Sequence, residues 1–256
     1  MNFKKDVKKE IEVQGKDKKM LNITKKWMKR AGELKYSYHF EWMGRPIIQH
    51  PQDMIATQQL IWDIKPDLIV ETGIARGGSL IFYASLLELI SNSGKNKKAK
   101  VLGVDIDIRK ENLKEIKKHP MYKRINLIEG SSTNKKVYEK VYKFSKKFKK
   151  IMVFLDSNHT EEHVINELEI YAKLVTKNSY CIVFDTIIEE LPLVYGMNRS
   201  WGKNNNPKSA LNKYLKKIKQ VPTFDLNKQK INFEIDKSID SQILISVAPG
   251  GFLKRL

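Results

Sequence analysis

Asp67-Leu-Ile-Val-Glu-Thr-Gly-Ile-Ala-Arg-Gly-Gly-Ser-Leu80 is the stretch that decides the fold of this chain. Asp67 to Val70 reads as a buried strand, Glu71 to Gly78 as a polar, glycine-rich turn, and Ser79 opens an apolar helix that runs to Ile90. A strand, a tight turn and a helix N-terminus make a ligand site of nucleotide type. The glycines let backbone approach the ligand, and the free amides of the first helical turn face it. An ordinary strand-turn-helix crossover looks the same locally, so the spacing has to discriminate.

Gly73, Gly77 and Gly78 give G-x-x-x-G-G rather than the G-x-G-x-x-G of dinucleotide sites, and no Gly-Lys-Ser/Thr follows, which excludes a P-loop. Glu71 in the turn would repel a pyrophosphate and attract a cation. S-adenosylmethionine has no phosphate and carries a sulfonium and an ammonium, so it fits this turn. Glu71, Gly73, Gly77, Gly78 and Ser79 are expected to bind it. The strand Lys100-Val-Leu-Gly-Val-Asp105 ends in a carboxylate that can accept both protons of a ribose diol; Asp107 stands further out and can cap the next helix. The distance from Gly73 to Asp105 exceeds the roughly 20-residue spacing of NAD sites.

The bulk numbers bound the rest. With 256 residues and 41% hydrophobic content, the chain is expected to fold as one sizeable α/β domain with an N-terminal elaboration. No apolar run reaches the 18 or more residues of a membrane span, and the first residues have no apolar signal region. Cys181, the single cysteine, reads as a small core residue, and the expected location is the cytoplasm. The net charge of +19 comes mostly from Lys spread along the chain. Without an RNA-binding or helix-turn-helix pattern, it reads as a solvated surface rather than a specific nucleic-acid interface.

Residues 1–34 are charged and expected to be helical, a partly mobile arm anchored by Ile11, Val13, Leu21, Ile23 and Trp27. Tyr36 to Pro51 is aromatic-rich and reads as an irregular segment; Gln52 to Ile64 reads as a helix. The division is thus 1–64 as extension and 65–256 as the ligand-binding domain. From there strands are expected at 67–72, 101–105, 125–129, 151–156 and 180–184, and helices at 79–91, 109–117, 135–147, 161–175 and 209–219. Uniformly apolar strands alternating with helices imply a doubly wound parallel sheet covered on both faces. Residues 232–239 and 242–249, about a turn at Asp240-Ser241, are expected to close its edge as an antiparallel hairpin.

In such a sheet the ligand lies beyond the carboxyl ends of the strands. Strand three ends Glu129-Gly-Ser-Ser132, strand four Val153-Phe-Leu-Asp156-Ser-Asn-His159, and strand five Ile182-Val-Phe-Asp185. Ser131 and Asp156 join the expected cofactor contacts. Asp156 and Asp185 at neighbouring tips can share Mg²⁺, which prefers oxygen ligands, and no cysteine cluster offers a zinc site instead. Such an ion lowers the pKa of a bound hydroxyl, and His159 can take its proton. The competing reading makes both acids helix caps. His163 is expected on the surface of its helix, and His39, His50 and His119 in structural positions. The long 187–207 connection carries Trp201 and reads as a lid or clamp.

Gly44-Arg-Pro-Ile-Ile-Gln-His-Pro-Gln-Asp53, Glu71-Thr-Gly-Ile-Ala-Arg-Gly-Gly-Ser79, Phe154-Leu-Asp-Ser-Asn-His159 and Val183-Phe-Asp-Thr186 resemble the cephalosporin hydroxylase family, from about Phe40 onward. The resemblance implies a Rossmann-like class I methyltransferase fold, S-adenosyl-L-methionine as cofactor, often Mg²⁺, and O-methylation of a sugar hydroxyl. Many members look like rhamnosyl O-methyltransferases. Related enzymes often follow the strand-five Asp with a second acid or Asn; here Thr186 offers a hydroxyl in that place. The implied partner is a small-molecule or glycan acceptor, with a homo-oligomer left open. An oxygenase, which the family name suggests, would need two His and one carboxylate around iron. A basic module for nucleic acid or a membrane surface is the other rival.

Overall fold

The computed structural model describes residues 2–94 and 96–256. Two capped helices come first. Asn2 accepts from the Lys5 amide at the start of α1 (Phe3–Gln14), and Asp17 accepts from the Lys19 and Met20 amides at the start of α2 (Lys18–Glu33). A 3₁₀ turn at Tyr36–His39 leads into the antiparallel pair β1 (Phe40–Trp42) and β2 (Arg45–Ile47), and α3 (Pro51–Ile64) follows. Strands and helices then alternate: β3 (Leu68–Thr72), α4 (Gly78–Asn92), β4 (Lys100–Asp105), α5 (Lys110–Lys118), β5 (Ile125–Glu129), α6 (Lys135–Ser145), β6 (Ile151–Leu155), α7 (Glu161–Tyr171) and β7 (Tyr180–Val183). The chain closes with α8 (Pro192–Tyr195), α9 (Pro207–Gln220), β8 (Phe233–Ile235), α10 (Lys237–Ile243) and β9 (Phe252–Arg255).

The main sheet runs β5-β4-β3-β6-β7-β9-β8, with β3 to β7 parallel and β8 and β9 antiparallel. Leu68 pairs with Lys100 on one side and Ile151 on the other, so β3 is central. The chain leaves β3 toward β4 and β5, then returns to place β6 against its other edge. That reversal opens a crevice beyond the carboxyl ends of β3 and β6. Alternate residues feed two cores. Ile69, Met152, Phe154 and Ile182 face one layer; Leu68, Val70, Val153, Leu155, Cys181 and Val183 face the other. Cys181 is fully buried, as expected of a small core residue.

Four expectations change. The aromatic segment is not irregular, because Met43 and Gly44 take positive φ and turn β1 back onto β2. The anchors of the arm differ: Met28 and Ala31 are buried, whereas Val13, Leu21 and Ile23 are exposed. The arm is also tied down, since Gln14 donates to the Ser241 and Gln242 carbonyls and Tyr195 donates to the Met28 carbonyl. The closing pair is not a hairpin at Asp240-Ser241. Asp236 accepts from the Ser238 amide and starts α10 instead. The 244–249 stretch is drawn off the sheet by Asp53, whose carboxylate accepts from Ser246 Oγ (2.6 Å) and the Val247 amide (3.0 Å). Antiparallel pairing therefore waits until Phe252. No helix among the described residues is long and apolar enough to cross a membrane.

Candidate active site

Asp156 follows β6, His159 lies three residues on, and Asp185 follows β7; one ligand atom from each lies within 4.8 Å of the others. His159 Nε2 stands 3.2 Å from Asp185 Oδ2. Its ring meets Trp201 edge-on, with centroids 4.8 Å apart, and the Trp201 indole N–H donates to the Tyr195 carbonyl. Asp185 is a non-glycine residue at φ 56°, a left-handed conformation that clusters at functional sites. Neither acid caps a helix: Thr160 occupies the cap of α7, and Asp185 makes no cap bond to the turn after it. Burial first, then the charges of Asp185, Glu71 and Glu167, hold the Asp156 carboxyl well above the ordinary Asp range. A cation among these acids would relieve that repulsion, and two carboxylates suit a hard divalent ion that keeps several waters. Thr186 does not contribute, because its hydroxyl donates to the Pro249 carbonyl at 3.0 Å and the residue is buried. Two carboxylates and one imidazole are also the reverse of the two-His iron set that the oxygenase reading requires.

The glycine turn lies beside this cluster. A Cβ on Gly73 would stand 2.0 Å from the Asp156 carbonyl oxygen, and one on Gly78 would stand 2.2 Å from that of Pro46. These glycines therefore let the β3 turn touch the β6 turn and β2; protein backbone, not only a ligand, requires them. Gly77 at φ 83° starts α4 without a side-chain cap, which leaves the first amides of that helix available. Gly73, Gly78, Ser79, Asp156, His159 and Asp185 all line one cleft of about 860 Å³, a size for small-molecule ligands.

Several expected contacts sit elsewhere. Glu71 is fully buried beneath the turn, outside the cleft wall, and accepts from Ser79 Oγ at 2.7 Å; it positions Ser79 instead of facing solvent. Its carboxyl is pushed up to about 8, mainly by burial and against the bond from Ser79. Asp105 also lies outside the wall, with Oδ2 accepting from the Ile74 amide (2.8 Å) and Oδ1 from that of Asp107 (3.1 Å). Ser131 pairs with Thr133 across 3.1 Å, and neither it nor Gly77 reaches the cleft. His163 is not on the outer surface. Its Nε2 lies 3.1 Å from Ser157 Oγ and 3.2 Å from Ser132 Oγ, while Ser157 donates to the buried Glu167 (2.7 Å). Gln49 and His50 were missed as site residues: both are buried and line the cleft, although the segment carrying them stood out in the sequence.

The Glu71 environment has a measurable consequence. The folded state holds this proton up to pH about 8, whereas the unfolded chain releases it near 4.5. The native state thus binds the extra proton, and stability falls as pH rises between those values. Glu71→Gln removes that loss. Relative to wild type, the ligand-free variant is expected to gain on the order of 3 kcal/mol between pH 5 and pH 8 in denaturant titrations. Parallel pH dependences of the two proteins would show that Glu71 is ionised in the fold.

A family model described as rhamnosyl O-methyltransferase/CmcI matches residues 34–256. The rhamnosyl O-methyltransferase of Mycobacterium leprae (strain TN) is 29% identical over 154 residues, which cover 60% of this chain and 63% of that protein. The rhamnosyl O-methyltransferase of Mycobacterium tuberculosis (strain ATCC 25618 / H37Rv) is 27% identical over 156 residues, 60% of each. The chain thus spans about three fifths of the length of these curated relatives. In fold it is similar to CmcI solved with Mg and SAM, at TM-score 0.53 and 18% identity, over 86% of this chain and 77% of that one. An O-methyltransferase from Bacillus cereus in complex with SAH gives TM-score 0.51 and 12% identity, over 91% and 89%.

Proposed function

The chain belongs to the rhamnosyl O-methyltransferase/CmcI family, and we propose that it is an S-adenosylmethionine-dependent O-methyltransferase that methylates a sugar hydroxyl with a divalent metal. The observation that carries this reading is the convergence of Asp156, His159 and Asp185 beside the Gly73 turn in one cleft. A solved relative in fold binds Mg and SAM, which agrees with it. Bound there, the cofactor supplies an electrophilic methyl group and the cation lowers the pKa of the acceptor hydroxyl. Asp156 and Asp185 would hold the cation, while Ser79 and the first amides of α4 would meet the cofactor's polar groups. His159 would receive the hydroxyl proton, and Asp185, whose Oδ2 lies 3.2 Å from its Nε2, would steady the imidazolium that results. Trp201 fixes the plane of that ring and helps exclude water. Ala31, Tyr38, Gln49 and His50 of the extension line the same cleft, which supports reading the extension as part of the working site.

Calorimetry tests the cofactor half of this reading: S-adenosylhomocysteine should bind and NAD should not. Asp105 lies just outside the cleft wall, and if its carboxylate also takes the ribose hydroxyls of the bound cofactor, Asp105→Ala weakens that binding by about 1.5–3 kcal/mol, the loss of a charge-assisted hydrogen bond. It also releases the Ile74 amide that now orders the turn. Unchanged affinity would remove Asp105 from the cofactor site. Transfer of a labelled methyl group from S-adenosylmethionine to methyl α-L-rhamnopyranoside, in the presence of Mg²⁺, tests the acceptor half.

A further inference from the structure

Gln49 and His50 are only 3% and 1% exposed, and both line the cleft. Among the described residues, none of their four side-chain polar atoms finds a hydrogen-bond partner. The Tyr83 hydroxyl lies beside Gln49, but not in bonding geometry. Unpaired buried polar groups destabilise a fold, so a fold that keeps four of them together at a cleft needs a reason. Here the fold also holds them rigidly. Gly78 packs against Pro46 and Ile47 just before the pair; Pro51 starts α3 just after it; and Asp53 ties that helix to Ser246 and Val247. Tyr36 stacks on His50 with centroids 5.6 Å apart and an interplanar angle of 26°.

We propose that Gln49 and His50 form a neutral hydrogen-bonding subsite that takes adjacent hydroxyl groups of an uncharged polyol acceptor. The donor and acceptor count selects that class. The Gln49 amide donates and accepts, and a neutral imidazole does both as well. Burial keeps His50 neutral, lowering it to about 4 against the raising charge of Asp185. A hydroxyl also donates and accepts, so two neighbouring hydroxyls satisfy the set. A carboxylate or phosphate only accepts; it would face the Gln49 carbonyl and the bare His50 nitrogen, with Asp185 nearby. An ammonium only donates and leaves the two donors idle. The subsite rests on the methyltransferase reading for the reaction it serves, but its chemistry stands on these four atoms.

Saturation-transfer NMR and calorimetry on the full chain with Mg²⁺ and S-adenosylhomocysteine test it, with methyl α-L-rhamnopyranoside, methyl α-D-mannopyranoside and their 2-deoxy analogues as probes. Wild type should bind at least one methyl pyranoside, and loss of one hydroxyl of the pair should weaken it at least tenfold. Gln49→Met keeps length, and His50→Phe keeps the stack on Tyr36. Each should weaken the pyranoside at least tenfold, leave S-adenosylhomocysteine within twofold, and leave the melting temperature of the ligand-free protein unchanged or higher. A lower melting temperature with pyranoside affinity retained overturns the subsite and makes the pair structural. Wild type that binds S-adenosylhomocysteine but none of the pyranosides overturns it too. Wild type that binds pyranosides but not S-adenosylhomocysteine overturns the methyltransferase reading and leaves the subsite standing.

Discussion

Turnover by the His159→Ala protein is expected to fall by about 10²–10⁴ under saturating acceptor, the usual contribution of a general base. The imidazole lies between Asp185 and Trp201 on the cleft wall, so its loss removes the proton acceptor without touching the glycine turn. S-adenosylhomocysteine affinity should therefore stay nearly unchanged. His159→Gln keeps a hydrogen bond but cannot take a proton, and should be almost as slow as Ala. Excess Mg²⁺ separates two roles for this residue, because its ring nitrogen lies within the same 4.8 Å cluster as the carboxylates. A base that is missing is not restored by added metal; a ligand that is missing is. Retention of most of the turnover, or its recovery in excess Mg²⁺, would take the general-base role away from His159.

Asp185→Ala and Asp156→Ala should each cost on the order of 10³ in turnover, about the several kcal/mol of charge stabilisation that a bound cation supplies. Calorimetric titration with Mg²⁺ should lose its signal in both variants. Chelation of the wild-type protein should produce a comparable loss, reversed by Mg²⁺ or Mn²⁺. Removing Asp185 also relieves Asp156, whose carboxyl is raised first by burial and then by the Asp185 charge, and removing Asp156 takes away a carboxyl that burial disfavours. Each variant is thus expected to be more stable than wild type in the absence of metal, the reverse of what deleting a helix cap does. Wild-type activity that survives excess chelator would leave the two carboxylates as hydrogen-bond partners of the substrate.

The layered fold and the sheet positions of the site were legible in the sequence because both depend on short-range signals. Apolar runs such as Ile151–Leu155 can be buried only as central strands, and an acid that ends such a run must emerge at the sheet's carboxyl edge. That logic located Asp105, Asp156 and Asp185 without any tertiary information. It also identified the glycine turn, since a strand followed by glycines and a helix has few other folds.

What the sequence could not determine was set by contacts between segments far apart in the chain. Glu71 sits in a turn by sequence, but strand pairing buries it beneath Ser79. Ser246 and Val247 read as a strand until the Asp53 carboxylate, 193 residues earlier in the chain, outcompetes the sheet for their donors. His163 reads as a surface residue from its own helix; only the β6 turn and the loop after β5 bring Ser157 and Ser132 onto its ring. Gln49 and His50 gave no signal of their own, because an unpaired polar group is defined by every neighbour that fails to meet it. Local pattern fixes which face of an element is buried. The partners each buried polar atom finds are a property of the assembled fold, and the chemistry of this cleft lies there.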